Sequence, residues 1–294
     1  MKQRIAVIDR EKCHPQECGN YLCAKLCPVN RTGSDCVTPG DDSKARIDEI
    51  LCTGCGICPQ RCPFGAITII NLPSSLTDSI HRYGKNQFEL FSLPTPLFGK
   101  TVGVIGKNGI GKSTVMKILA GIIKPNLGKF DEETTMDDLV KRFRGNQIQR
   151  FLEQLRDGKV DLAYKPQKVD LIPHKFSGTV KTLLETVDTT GRIDDIVEQL
   201  QLTKILDLDI KKISGGELQR VAIGATLLKS SNVFFFDEPT SYLDIKQRIQ
   251  IAKLINGLPD GKSASMVIDH DLIVLDYMTD LINVMYGHES VYGV

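Results

Sequence analysis

Nine cysteines fall within the first 62 residues of this 294-residue chain, and none follows. Four of them, Cys52, Cys55, Cys58 and Cys62, share eleven consecutive positions as C-x2-C-x2-C-x3-C, with Pro63 directly after. A segment of about 70 residues could barely support a core unaided. The start, MKQRIAVIDREKC, lacks the apolar core of a signal peptide. No apolar run approaches the roughly 20 residues that cross a bilayer. The chain therefore reads as soluble, intracellular and cytoplasmic, with no membrane partner. Thiols stay reduced there, so clustered cysteines are metal ligands before they are disulfides. Zinc favours two short cysteine pairs separated by a longer spacer, and a 2-2-3 spacing does not divide that way.

The run Cys52–Cys62 resembles that of bacterial ferredoxins, in which three close cysteines wrap a [4Fe–4S] cubane and the fourth serves a second cluster. An earlier set, Cys13, Cys18, Cys23 and Cys27, is looser but also closes as C-x3-C-P, with Pro28. The ferredoxin crossover then implies one cluster on Cys13, Cys18, Cys23 and Cys62 and another on Cys27, Cys52, Cys55 and Cys58. Cys36 is left outside both sets. Apolar stretches at 4–9 and 66–71 read as strands flanking the cysteine loops, and 71–86 as a connector. The expected domains are 1–75, an α+β module, and 76–294, an α/β domain with a mostly parallel sheet. Net charge is +1, so any nucleic-acid partner must meet a local patch.

The second domain carries nucleotide chemistry. In TVGVIGKNGIGKSTVMKILAG (101–121), Gly106, Gly111, Lys112 and Ser113 satisfy G-x4-G-K-[ST] between a strand and a helix. Such a loop cradles phosphates with backbone N–H groups; Asn108, Gly109 and Thr114 complete the expected ATP contacts. Lys112 is placed to reach the β- and γ-phosphates and Ser113 to offer its hydroxyl to Mg2+. In NVFFFDEPTSYLD (232–244), a buried strand ends at Asp237, where a Mg2+-binding carboxylate belongs, and Glu238 beside it is the candidate to polarise the attacking water. Ser214, Gly215, Gly216 and Glu217 open a helix, either as an anion cradle or as an ordinary cap.

That order of motifs, ending at His270 in MVIDHDL, resembles the ABC-type ATPases. The resemblance implies that Ser214–Glu217 face nucleotide held by a second domain. It further implies that Gln167 contacts Mg2+ and water, that Asp244 forms the D-loop, and that His270 senses the γ-phosphate. Tyr83 and Phe88 are candidates to stack on adenine. The fusion of CPVNRTGSDC, GCGICPQRCPFGAI and GKNGIGKSTVMKILAG, with HRYGKN, FRGNQ, GGELQR, SYLDIKQR and DHDLIVLDYM, resembles the ribosome-recycling ABC proteins of the RNase L inhibitor family along the whole chain. The implied fold class is an α/β ABC-type P-loop domain with an N-terminal bacterial-ferredoxin-like two-cluster domain.

The implied function is ATP-driven splitting of ribosomes after termination or rescue, with the iron–sulfur domain as a structural lever. The implied partners are the small ribosomal subunit with its rRNA, a release or rescue factor, and a second ABC domain. This chain has one P-loop, so either it is a fragment or another chain supplies the partner, and its own turnover is expected to be slow. Residues 136–160 read as two amphipathic helices broken near Gly145. In that family the insertion faces ribosomal RNA, which makes Lys141, Arg142, Arg144 and Arg150 the expected RNA contacts. Two rivals remain from the residues: an ATP-coupled electron-transfer protein, and the ATPase subunit of a transporter.

Overall fold

A computed structural model describes residues 4–48, 51–71, 79–84, 87–129 and 134–294. The chain forms two compact units. The expected boundary at residue 75, and the parts of the expected connector at 72–78 and 85–86, lie outside the described residues.

The first unit gathers the described residues within Met1–Phe91, Asn126–Glu132 and Ser290–Tyr292. Strand β1 (Arg4–Ile8) leads to helices α1 (Leu22–Leu26) and α2 (Pro28–Arg31), and then to a short hairpin of β2 (Val37–Pro39) and β3 (Ala45–Ile47). Helix α3 (Ile57–Arg61) and strand β4 (Ile67–Asn71) follow, with β4 pairing antiparallel to β1 from Ile8↔Ile67 to Arg4↔Asn71. Helices α1 and α3 are built alike. Each ends on an extended cysteine cap, Cys27 or Cys62, held out of the helical region by the proline that follows, and Pro28 then opens α2. Each starts from a left-handed residue, Tyr21 at φ 58° or Gly56 at φ 83°. The wider spacing before α1 is taken up by three successive left-handed residues, Gly19, Asn20 and Tyr21. Within the expected connector, the residues described at 81–82 form strand β5 (His81–Arg82), paired with β6 (Glu89–Leu90). Their core supplies the reason: Ile80 and Leu90 are buried, and Asn126 exchanges hydrogen bonds with both the N–H and the C=O of Arg82.

The second unit comprises the described residues within Ser92–Pro125, Glu133–Glu289 and Gly293–Val294. In chain order it contains β7 (Thr101–Ile105), α4 (Lys112–Leu119), α5 (Met136–Arg142), α6 (Gln149–Arg156), β8 (Leu162–Lys165), α7 (Ile172–Lys175), α8 (Val180–Val187), α9 (Ile193–Gln199) and α10 (Gly215–Leu227). There follow β9 (Val233–Asp237), α11 (Ile245–Asn256), β10 (Ala264–Ile268), α12 (Leu272–Met278) and β11 (Leu281–Val284). Five strands form one parallel sheet in the order β11-β7-β10-β9-β8. Strands β9 and β10 are buried at every position, as expected of central strands covered on both faces.

Among the described residues, no helix is long and apolar enough to cross a membrane. Helices α5 and α6 bury Leu139, Val140, Phe151 and Leu152, while Lys141, Arg142, Arg144 and Arg150 are exposed. Thr135 and Asp138 close a capping box at the start of α5.

Candidate active site and cysteine-lined cavities

The sheet order brings the site together. Strand β9 lies between β8 and β10 with Lys165 level with Phe236 and Ile268 level with Asp237, so residues following all three strands emerge at one edge. Ligands of open α/β sheets bind outside the carboxyl ends of their strands.

At the end of β7 the chain turns into the P-loop. A side chain at Gly106 would come within 2.3 Å of Ile110 and 2.5 Å of the Met285 carbonyl, so glycine is required there. Gly109 and Gly111 are left-handed, at φ 73° and 90°. Lys112 is buried, and its ammonium donates to the Gly106 and Lys107 carbonyls at 2.7 and 2.8 Å. Burial pulls its pKa down, while the Glu238 and Asp237 carboxylates pull it up. Ser113 stands at the second position of α4, where its hydroxyl is near enough to Asp237 to help hold that carboxyl's pKa down.

Asp237 is 1% exposed. Burial raises its pKa, and the hydroxyls of Ser113 and Tyr164 oppose the rise. The Tyr164 hydroxyl donates to Oδ2 at 3.2 Å, whereas Oδ1 is buried with no hydrogen-bond partner. A buried carboxylate oxygen left in that condition beside a serine hydroxyl fits a hard divalent cation. Glu238 is the meeting point of the other predicted residues. Its Oε1 lies 2.8 Å from Gln167 Nε2, which donates, and 2.8 Å from His270 Nε2. Its Oε2 accepts from the Ser241 hydroxyl at 3.1 Å.

Ser214 and Glu217 form a reciprocal cap on α10: Glu217 Oε2 accepts from the Ser214 N–H at 2.8 Å and its hydroxyl at 2.7 Å. A side chain on Gly216 would meet the Tyr242 carbonyl at 2.9 Å. Ser214, Gly216 and Glu217 therefore each have a local structural role. Asp244 caps α11, accepting from the Gln247 N–H at 2.9 Å. Tyr83 and Phe88 belong to the first unit, where their rings stand 6.4 Å apart across the β5–β6 hairpin and Tyr83 packs edge-on against His81 at 4.7 Å. Sequence reasoning missed Tyr164, Lys165, Gln219 and Ser241. The signal in β8 was the alternation LAYK, which places Lys165 on the same buried phase as Ala163.

The cysteines enclose two cavities. One is lined by Cys13, Cys18, Cys23 and Cys62, the other by Cys27, Cys52, Cys55 and Cys58 together with Cys36. Burial and neighbouring sulfurs push the Cys23 thiol up to about 11 and the Cys58 thiol to about 12. Among the described residues, no three His, Cys, Asp or Glu side chains converge on a single ion. Four thiols around a space, rather than at a point, suit a core of several atoms better than one tetrahedral zinc, whose sulfurs would stand about 3.8 Å apart. Cys36 is 1% exposed, and its thiol faces the Asp48 carbonyl at 4.0 Å.

Three family profiles match the chain: a possible Fer4-like domain in RNase L inhibitor, RLI, over residues 3–35; a 4Fe-4S binding domain over 45–68; and ABC transporter over 97–241. Fold and site together define an ABC-type P-loop ATPase domain joined to a ferredoxin-like 4Fe-4S domain.

An ABC transporter ATP-binding protein of Methanocaldococcus jannaschii is 48% identical over 99% of the chain, which covers 48% of that protein. Translation initiation factor RLI1 of Saccharomyces cerevisiae is 44% identical over 99% of the chain, and 49% of it is covered. The ABCE1 in a structure of ribosome-bound archaeal Pelota and ABCE1 is similar at TM-score 0.91 and 47% identity, over 99% of this chain and 49% of that one. The chain belongs to the RNase L inhibitor (RLI/ABCE1) family. It spans about half the length of the curated relatives it matches.

Proposed function

We propose that this chain is an ATP-driven nucleotide switch that splits ribosomes into subunits during recycling, with its cysteine module as a stiff lever. The observation that carries this reading is the joining, in one chain, of two cysteine-lined cavities to a site where Gln167 and His270 meet on Glu238. The domains at work are residues 1–75 and 76–294. Electron transfer would need the same cavities but not a lever, and a transporter ATPase would need neither.

ATP lies with its phosphates along Gly106–Thr114, its charge met by Lys112. Ser113, Asp237 and Gln167 would hold Mg2+, which would supply charge neutralisation at the β- and γ-phosphate oxygens. Glu238 accepts a proton from the attacking water, Gln167 orients that water, and His270 reads the γ-phosphate. Ser214–Glu217 and Asp244 act on nucleotide held by a second ABC domain. Until such a domain closes, this chain binds ATP and turns it over slowly, because water is not excluded and the last phosphate contacts are missing. Turnover per chain is therefore expected to rise with concentration, or on adding a second ABC domain. A rate independent of concentration and matching that of two-domain relatives would contradict this.

Cys13, Cys18, Cys23 and Cys62 would hold one [4Fe–4S] cluster and Cys27, Cys52, Cys55 and Cys58 another, and the two would cross-link the small module. The small ribosomal subunit is met by the exposed Lys141, Arg142, Arg144 and Arg150 through rRNA phosphates. A release or rescue factor meets the lever. Changing Lys141, Arg142 and Arg144 together to alanine is expected to weaken cosedimentation with small subunits at least about tenfold at moderate salt and to flatten its salt dependence. Unchanged cosedimentation across salt would remove these residues from the interface.

A further inference from the structure

Glu238 occupies the left-handed region, at φ 49°, which a residue with a side chain adopts only when its surroundings impose it. Its N–H donates to the Ile268 carbonyl at 2.8 Å. Its own carbonyl is gripped from two sides: Gln219 Nε2 donates at 2.6 Å and Lys165 Nζ at 3.1 Å. The same ammonium donates to the Asp237 carbonyl at 2.8 Å.

Lys165 and Gln219 both have 0% exposure. Burial brings the Lys165 pKa down to about 8, against the upward pull of Asp237, Glu238 and Asp269. Gln219 leaves its own Oε1 buried without a partner. A buried ammonium and a half-satisfied buried amide each destabilise a fold, and apolar side chains would fill the same space at less cost. Both residues nevertheless converge on one peptide, the one behind the carboxylate that Gln167 and His270 touch. Lys165 comes from β8 and Gln219 from α10, so two separate elements fix the same backbone group.

We propose that Lys165 and Gln219 are positioning residues for Glu238, holding the Glu238–Pro239 peptide in the left-handed geometry that aims the carboxylate at Gln167 and His270. They act through the backbone and touch no part of the carboxylate in this geometry. The inference rests on the reading of Glu238 as the residue that activates water. Freed from the clamp, Glu238 is expected to relax towards a commoner backbone conformation and turn its carboxylate away, with nucleotide binding unaffected.

The test is single-turnover hydrolysis of radiolabelled ATP by excess chain, with affinity for a fluorescent ATP analogue measured in parallel. Glu238→Gln is expected to slow hydrolysis at least about a hundredfold. Lys165→Met and Gln219→Leu should each slow it about tenfold or more, with analogue affinity within about threefold of the parent. Combined with Glu238→Gln, neither should slow it further, because all three act through one carboxylate. If Glu238→Gln leaves the rate intact, the reading of Glu238 fails. If it slows the rate but Gln219→Leu does not, or if the clamp variants slow the Glu238→Gln chain by their full factor, the positioning role fails. Gln219→Leu removes no charge and decides the matter even if Lys165→Met fails to fold.

Discussion

Replacing Cys58 with serine is expected to lower the iron content of anaerobically purified chain from about eight atoms to about four, with a matching fall in inorganic sulfide. Cys58 is the buried residue of α3, and it shares a cavity with Cys27, Cys52 and Cys55. The module around it has a modest apolar core, in which buried cysteines stand among Ala6, Val37, Ile47 and Ile67. Burial holds the Cys58 thiol near 12, so a thiolate there is disfavoured unless metal coordination offsets the loss of hydration. Removing one ligand takes away both the coordination and a cross-link between α3 and the Cys27 cap. The parent fold of residues 4–71 should therefore become sensitive to protease as well as poorer in iron. Cys36→Ser is the contrasting variant. Cys36 lines the same cavity but stands outside the two sets of four, and its replacement should leave iron at the parent value. Full iron in Cys58→Ser, or half the iron in Cys36→Ser, would redraw the ligand sets.

Lys112→Met is expected to weaken ATP binding by about two orders of magnitude, read by isothermal titration or by displacement of a fluorescent nucleotide. The ammonium rests on the Gly106 and Lys107 carbonyls at 2.7 and 2.8 Å, inside the curl of the loop whose N–H groups are to receive phosphate oxygens. Removing one partner of a desolvated charge pair costs about 2–5 kcal/mol, because the other charge is left buried without compensation. Methionine keeps the length and the apolar stem of lysine, so α4 and its contacts with the sheet should survive. The loss should fall on tri- and diphosphates and leave adenosine binding nearly unchanged. Equal losses for all three would mean that the loop had collapsed rather than lost a phosphate contact.

Much of the second unit could be read before its coordinates. The apolar run 233–236 ending in Asp237 placed a buried strand and its carboxylate, and G-x4-G-K-S placed the loop after β7. Short-range spacing carries those signals because strand period and turn chemistry are local. What escaped was long-range. Lys165 reads as an ordinary charged strand residue until β8 is known to pair with β9, which brings its ammonium against two carbonyls more than 70 positions away. Gln219 looked like a polar position on a helix, and only packing shows it fully buried against Glu238. The reading of 71–86 as a connector failed for His81 and Arg82 in a similar way. The alternation there is too short to mark a strand, and the partner that completes it, Asn126, lies 44 residues on. In the first unit the two C-x3-C-P endings were legible because each is a helix stopped by proline. The left-handed run at Gly19–Tyr21 was not, since two of its three residues carry side chains that disfavour it.

We propose a nucleotide clamp joined to a metal-stiffened lever that works against a ribosomal subunit. Its most direct test is sedimentation of iron-replete chain with isolated small ribosomal subunits through a density gradient, with and without a non-hydrolysable ATP analogue. The account predicts that chain travels with the subunits, and that the bound fraction rises when the analogue is present. Chain that stays at the top of the gradient under both conditions, at low salt and with its iron intact, would contradict it.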